Sequence, residues 1–255
     1  MSIPRLRVPI VLVHGLLGFS AVRVFGKPLL KYFHGIEDAL ESAGNRVLGA
    51  GLSPTAGIAQ RAAELRAFLN REVGSDPVHI LAHSMGGLDA RYMISKLGME
   101  SRVSSLTTIG TPHRGSPFAD WGVRRLSLTL KPIARLFDLP DQAFFDLTTE
   151  SCRAFNADVP DVSSVRYFSV AGRCSDAWLA AEWLFPHTVV SQREGDNDGL
   201  VSVTSATYGE ASEVWDGDHL SLINWPNRVA QRNGCWQDRT AQYAGLICRL
   251  ADAGF

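Results

Sequence analysis

Short apolar runs that end in turn-forming residues alternate along this chain with stretches whose apolar positions recur every three to four residues. Val8-Pro9-Ile10-Val11-Leu12-Val13 is a run of the buried-strand type, and Val78-His79-Ile80-Leu81 is a second. The stretches Val103-Ser104-Ser105-Leu106-Thr107-Thr108-Ile109 and Val165-Arg166-Tyr167-Phe168-Ser169-Val170 read as two further strands. Thr55 to Val73 gives the clearest helix. Its apolar positions Ile58, Ala62, Leu65, Leu69 and Val73 fall on one stripe that should pack on the sheet, while Arg61, Asn70 and Arg71 are expected on the remaining surface. Leu88 to Ile94 is helix-like and follows the second strand across a sharp turn. Strands alternating with helices predict the α/β class, with a mostly parallel sheet covered on both faces.

Residues 116 to 156 form a long connection between the third and fourth strands. Leu126, Leu130, Ile133 and Phe137 recur there at helical spacing among Arg124, Arg125, Lys131 and Arg135, and Phe144 and Phe145 follow. An amphipathic insertion of this kind predicts either a moving lid or a fixed cap, with Pro132 marking a kink or a break. No repeat or low-complexity linker divides the chain. Its 255 residues, 45% of them hydrophobic, therefore read as a single domain over residues 1–255 with one large core.

Composition narrows the function. With 25 basic and 26 acidic residues the net charge is -1, so no basic field is present to attract nucleic acid or an anionic membrane. No apolar stretch is long enough to span a bilayer. Cys152, Cys174, Cys235 and Cys248 have no metal-ligand spacing, and free thiols are expected of them. The chain enters its first strand directly after Met1-Ser2-Ile3-Pro4-Arg5, without the features of a signal peptide. A cytoplasmic location is the expectation, or a secreted one if this is a trimmed mature form.

Ala82-His83-Ser84-Met85-Gly86-Gly87 joins the second strand to its helix. A serine at the tip of a strand-turn-helix stands at the carboxyl end of a sheet, with the free N–H groups of the helix N-terminus behind it. The usual pattern is G-x-S-x-G; Ala82 departs from it but keeps the small side chain the turn needs. The first strand ends in His14-Gly15-Leu16-Leu17-Gly18-Phe19, whose glycines permit a backbone path that aims the Leu16 N–H at a reacting carbonyl, with the Met85 N–H as second donor. His14 is expected to shape this loop by hydrogen bonding.

In the fold that carries such an elbow, the acid and then the histidine follow the nucleophile. Of the seven histidines only His113, His187 and His219 follow Ser84. His219 alone follows a convincing acid, Asp198 in Gly195-Asp196-Asn197-Asp198-Gly199-Leu200-Val201-Ser202, whose carboxylate would hold the imidazole in the required tautomer. Asp196 is a weaker alternative, and Asp218, adjoining His219, has too short a tether. An EF-hand reading of the acidic loop fails because Ser205 stands where the final acid belongs.

These motifs, with Thr108-Ile109-Gly110-Thr111-Pro112-His113-Arg114-Gly115-Ser116 and with Asp218-His219-Leu220 leading to Ile223-Asn224, resemble the bacterial true lipases of the Pseudomonas and Burkholderia type. The resemblance runs over most of the chain. It implies an α/β-hydrolase fold, a Ser84-Asp198-His219 triad, Leu16 and Met85 as oxyanion donors, and cleavage of acyl esters such as acylglycerols through an acyl-enzyme. A phospholipase or an acyltransferase would use the same triad, and a non-catalytic binding protein can keep the same scaffold. The expected partner is an acyl ester or lipid, reached in water or at a lipid-water interface. Lipases of this group carry a structural calcium bound by an aspartate two residues after the histidine. This chain has Ser221 there, so no calcium or other cofactor is expected, and Asp176, the remaining candidate ligand, reads as a surface residue. Trp121, Trp178, Trp183 and Phe185 are either acyl-pocket lining or plain core.

Overall fold

The computed structural model describes residues 3–24, 27–129 and 141–255; of residues 21–24, 27–29, 126–129 and 141 only the backbone is described. Six strands, β1 (Ile10–Val13), β4 (Val47–Ala50), β5 (Val78–His83), β6 (Val103–Ile109), β7 (Arg166–Arg173) and β8 (Ala211–Asp216), form one sheet in the order β4-β1-β5-β6-β7-β8. Every pairing in it is parallel. Ala21–Val24 (β2) and Lys27–Lys31 (β3) form a separate antiparallel hairpin. The helices are α1 (Ile36–Ser42), α2 (Ile58–Glu72), α3 (Met85–Lys96), α4 (Pro117–Thr129), α5 (Asp141–Asp146), α6 (Thr149–Asp158), α7 (Ala181–Glu194), α8 (Val203–Ala206), α9 (Arg228–Arg232) and α10 (Thr240–Asp252).

The unbroken apolar run of β1 follows from burial on both faces. Ile10 and Leu12 join a core with Ile36 and Leu40 of α1 and Leu246, Ile247 and Leu250 of α10. Val11 and Val13 face the opposite core, with Ala62, Leu65 and Leu69 of α2 and Met93 and Ile94 of α3. A strand between two apolar layers has no polar face to alternate with. The chain leaves β1 for β4 on one side and then returns past β1 to β5 on the other. This reversal opens a crevice at the carboxyl ends of β1 and β5, where ligands bind in sheets of this kind.

The expected strand over residues 103–109 matches β6, and the expected helix over 55–73 is α2, starting at Ile58. Its apolar stripe is buried as expected. Arg61 corrects the expectation for its polar positions, because it is fully buried rather than on the surface. Asp89 on the facing helix α3 accepts from Arg61 Nε at 2.8 Å, and the remaining guanidinium donors reach the Ser53 and His14 carbonyls, each at 2.7 Å. A guanidinium tolerates burial when its fork of donors is satisfied in this way.

The anticipated insertion contains α4, α5 and α6, which lie between β6 and β7. Of its amphipathic stripe, Leu130, Ile133 and Phe137, together with Lys131, Pro132 and Arg135, fall outside the described residues, as does the Leu126 side chain. Cys152 and Cys174 are buried, and Cys235 and Cys248 are half-buried. Among the described residues no helix is long and apolar enough to cross a membrane.

Candidate active site

Ser84 lies between β5 and α3 with φ 55 and ψ -131, a positive φ that a non-glycine residue adopts only under constraint. Its N–H donates to the Ile109 carbonyl at 2.8 Å, and its own carbonyl accepts from Thr111 Oγ1 at 2.7 Å. Both partners come from the end of β6 and the Gly110-Thr111-Pro112 turn, which thereby holds the elbow. The β1 loop presses against it: a Cβ on Gly15 would stand 2.7 Å from Ser84 Cβ, and one on Gly86 would stand 2.8 Å from the His14 carbonyl oxygen. Only glycine fits either position. Met85 is the first residue of α3, so its N–H has no partner within the helix.

The sheet brings the other two expected groups to the same edge. Asp198 packs on the end of β7, where a Cβ on Gly172 would come within 2.6 Å of its Cβ. Its Oδ1 accepts from the N–H groups of Leu200 and Val201 at 3.0 and 2.8 Å, which leaves Oδ2 for His219 Nδ1 at 2.7 Å. The His219 N–H also donates to the Asp198 carbonyl at 2.8 Å. Because Nδ1 donates to the carboxylate, Nε2 of a neutral His219 is bare and can accept a proton.

The alternatives for the acid separate by geometry. Asp196 is exposed. Asp218 is buried but turned away, its Oδ1 accepting from the Leu220 and Ser221 N–H groups and its Oδ2 from Asn227 Nδ2. His113 is fully buried, bonded through Nε2 to Thr108 Oγ1 and stacked on Tyr208 at 4.1 Å. His187 is half-buried on α7.

Ser84, His219, Leu16 and Leu17 open onto one cavity of about 450 Å³, whose walls include Phe19, Phe118, Phe144, Leu147, Trp183 and Leu220. Of the four aromatics considered for such a pocket, Trp183 lines it. Trp121 and Phe185 pack on each other 4.7 Å apart and against Phe118, and Trp178 is buried elsewhere, with Cys174 and Ala230. At the mouth Leu17 is 67% exposed, and Phe144 and Leu220 are also exposed.

His14 shapes the loop as expected. Burial holds it neutral, its pKa pushed down to about 4, and it donates from Nδ1 to the Gly15 carbonyl and accepts the Leu52 N–H at Nε2. A second buried histidine, absent from the sequence reading, links the two halves of the site. His83 Nε2 contacts the His219 carbonyl at 3.0 Å, and a carbonyl only accepts, so Nε2 carries the proton. Burial and the neighbouring His219 hold the His83 pKa well below its usual range, so its Nδ1 is bare and accepts from the Tyr32 hydroxyl at 2.9 Å. Burial in turn pushes the Tyr32 phenol up to about 12, and its oxygen accepts the Gly15 N–H at 3.3 Å. The chain Gly15–Tyr32–His83–His219 thus ties the β1 loop to the histidine loop. Its one sequence signal is the histidine beside Ser84.

The residues near His219 do not fit the calcium that the resemblance implies. Ser221 offers a hydroxyl, which donates to the Asp218 carbonyl; Asp176 is exposed; and the Asp218 carboxylate is occupied by three donors. Among the described residues no cluster of three His, Cys, Asp or Glu side chains is placed to hold a metal.

Comparison with known proteins gives the family and the fold. The PGAP1-like alpha/beta domain matches residues 63–226. Triacylglycerol lipase 2 of Saccharomyces cerevisiae is 35% identical over 78% of this chain and 64% of its own length. A triacylglycerol lipase of Vibrio cholerae is 31% identical over 86% of this chain and 80% of its own. Among solved structures, the mature Bacillus licheniformis lipase BlEst2 superposes with a TM-score of 0.70 at 23% identity, covering 94% of this chain and 91% of that one, which speaks for the fold. The chain spans a little under two thirds of the yeast relative. On the domain match and these identities, the chain belongs to the PGAP1-like alpha/beta domain family and, within the α/β-hydrolase fold, to the group of the triacylglycerol lipases.

Proposed function

We propose that the chain is a serine carboxylester hydrolase acting on acyl esters, acylglycerols among them. The observation that carries this reading is the 2.7 Å bond from His219 to the buried Asp198, with His219 lining one apolar cavity together with a serine held at positive φ. Ser84 Oγ attacks the acyl carbonyl while His219 Nε2 takes its proton. The oxyanion that forms is met by the N–H groups of Leu16 and Met85. Collapse breaks the bond to the alkoxide, which leaves with the proton from His219 as the free alcohol. Water then attacks the acyl-enzyme by the same route and releases the acid and Ser84. The apolar walls of the cavity suit an acyl chain, and the exposed apolar side chains at its mouth suit approach to a lipid-water interface.

The test is hydrolysis of p-nitrophenyl esters from short to long acyl chains, with triglyceride emulsion as a further substrate, by the parent chain and Ser84→Ala. Activity on the series that vanishes in a folded Ser84→Ala is expected. A folded parent that cleaves none of them, or a variant as active as the parent, overturns the reading.

A further inference from the structure

Arg239 stands one residue before α10, and its guanidinium is buried, with 3% of the residue exposed. Its Nε donates to the Ser221 carbonyl at 3.2 Å and its Nη2 to the Asp216 carbonyl, while its own backbone N–H donates to Asn224 Oδ1 at 2.8 Å. The Trp178 ring covers it at 5.3 Å. Asp216 ends β8 and Ser221 opens the turn beyond His219, so the guanidinium grips both ends of the segment that carries the histidine. The backbone is shaped for it: Gly217, at φ +154, has no Cβ, and one there would stand 2.5 Å from Arg239 Nη2 and 2.4 Å from Ser221 Oγ. The positive charge therefore lies beside the Ser221 side chain, at the position where a bound calcium would need a carboxylate. Its ligands are carbonyl oxygens and an aromatic face, the contacts that suit a fixed organic cation.

We propose that Arg239 is a positioning residue, an internal cation that holds the His219 loop and makes a divalent metal unnecessary in this chain. The inference rests on the reading of His219 as the base. A cation covalently part of the chain cannot be chelated, and its planar fork reaches two carbonyls that a point charge would bridge less well. Loss of the guanidinium frees the loop, so the effect falls on kcat through misplacement of Nε2, with little change in KM.

The experiment uses the parent, Arg239→Ala and Arg239→Lys on a soluble short-chain p-nitrophenyl ester, each in excess EDTA, in calcium, and with methylguanidine. The parent is expected to keep its kcat and its thermal midpoint in EDTA. Arg239→Ala should lose kcat by about 10²-fold with KM within a few-fold, regain part of it with methylguanidine, and gain nothing from calcium. Arg239→Lys should fall between the two. Inactivation of the parent by EDTA with recovery in calcium overturns the proposal, as does an Arg239→Ala or Arg239→Lys with undiminished kcat. If Arg239→Ala does not fold, Arg239→Lys decides by the same criterion. A parent inactive on every ester defeats the reading of His219 as the base. The proposal is then decided by amide exchange of residues 217–221, which must be faster in Arg239→Lys than in the parent.

Discussion

In the proposed mechanism the proton acceptor is defined by which nitrogen is bare, and for His219 this is set by one oxygen, Asp198 Oδ2 at 2.7 Å from Nδ1. Replacing Asp198 by Asn keeps the shape but lets the amide donate, which turns the imidazole to the wrong tautomer. Asp198→Asn should therefore fold with an unchanged circular-dichroism spectrum and lose kcat by on the order of 10³ to 10⁴-fold. Asp196→Asn, at an exposed position, should stay within a few-fold of the parent, and the reverse ranking would move the acid. That Ser84, Asp198 and His219 come together at one edge of the sheet was legible in the sequence, because each sits in a short motif and a fold with such an elbow constrains their order along the chain. Choosing between Asp196 and Asp198 needed only loop context, yet what separates them physically is the seat on β7 beside Gly172. Tyr32 and His83 were not legible. Their meaning lies in contacts 51 and 136 residues apart along the chain, which no local pattern records.

At the scale of the element, α2 shows what periodicity conveys and what it leaves out. The stripe Ile58, Ala62, Leu65 and Leu69 is read from spacing alone, because an apolar stripe has one use. Arg61 sits within the same helix with the spacing of a surface residue, and only the approach of α3 with Asp89 makes it a buried one. The strands β4 and β8 escaped the same reading, since the four residues Val47–Ala50 are too few to show a period and the six of β8 are of mixed polarity. Burial pushes the Asp89 carboxyl up, to about 7, despite the guanidinium beside it. Arg61→Met should thus leave a buried carboxyl without its counter-charge and lower the unfolding free energy by about 3–5 kcal/mol in urea titrations. Arg61→Met with Asp89→Leu should recover most of that stability, because two apolar groups need no partner. It should not recover full kcat, since the His14 and Ser53 carbonyls still lack their donor and the β1 loop is untied. Full recovery of kcat in the double variant would show that the guanidinium serves packing alone.

For the molecule as a whole, the buried histidines set the response to acid. His14, His79, His83 and His113 are all almost fully buried, and burial holds the pKa of each below its usual 6.5, to about 4 for His14 and His79 and well below 6.5 for His83 and His113. A histidine whose folded pKa lies below its unfolded one binds fewer protons folded than unfolded between the two values. Its stabilising effect is then complete above pH 6.5 and is lost as pH falls from there towards 4, by roughly 3 kcal/mol each for His14 and His79. Asp89 and Asp218 act with the opposite sign, because burial raises their pKa values and the folded state then gains protons more readily as pH drops. Four histidines against two carboxyls leave a net loss, so the urea midpoint should fall steeply between pH 6.5 and 4.5. His79 isolates one share of it, lying away from the candidate site with Nδ1 on Ser105 Oγ, a buried Nε2 without a partner, and Phe255 packed edge-on at 4.9 Å. Replacing it with Asn keeps a group able to bond Ser105 and removes the titration. The slope of stability against pH should become shallower by about one proton over this window. A slope as steep as the parent's would mean that acid acts elsewhere, with the exposed carboxylates as the next groups to examine.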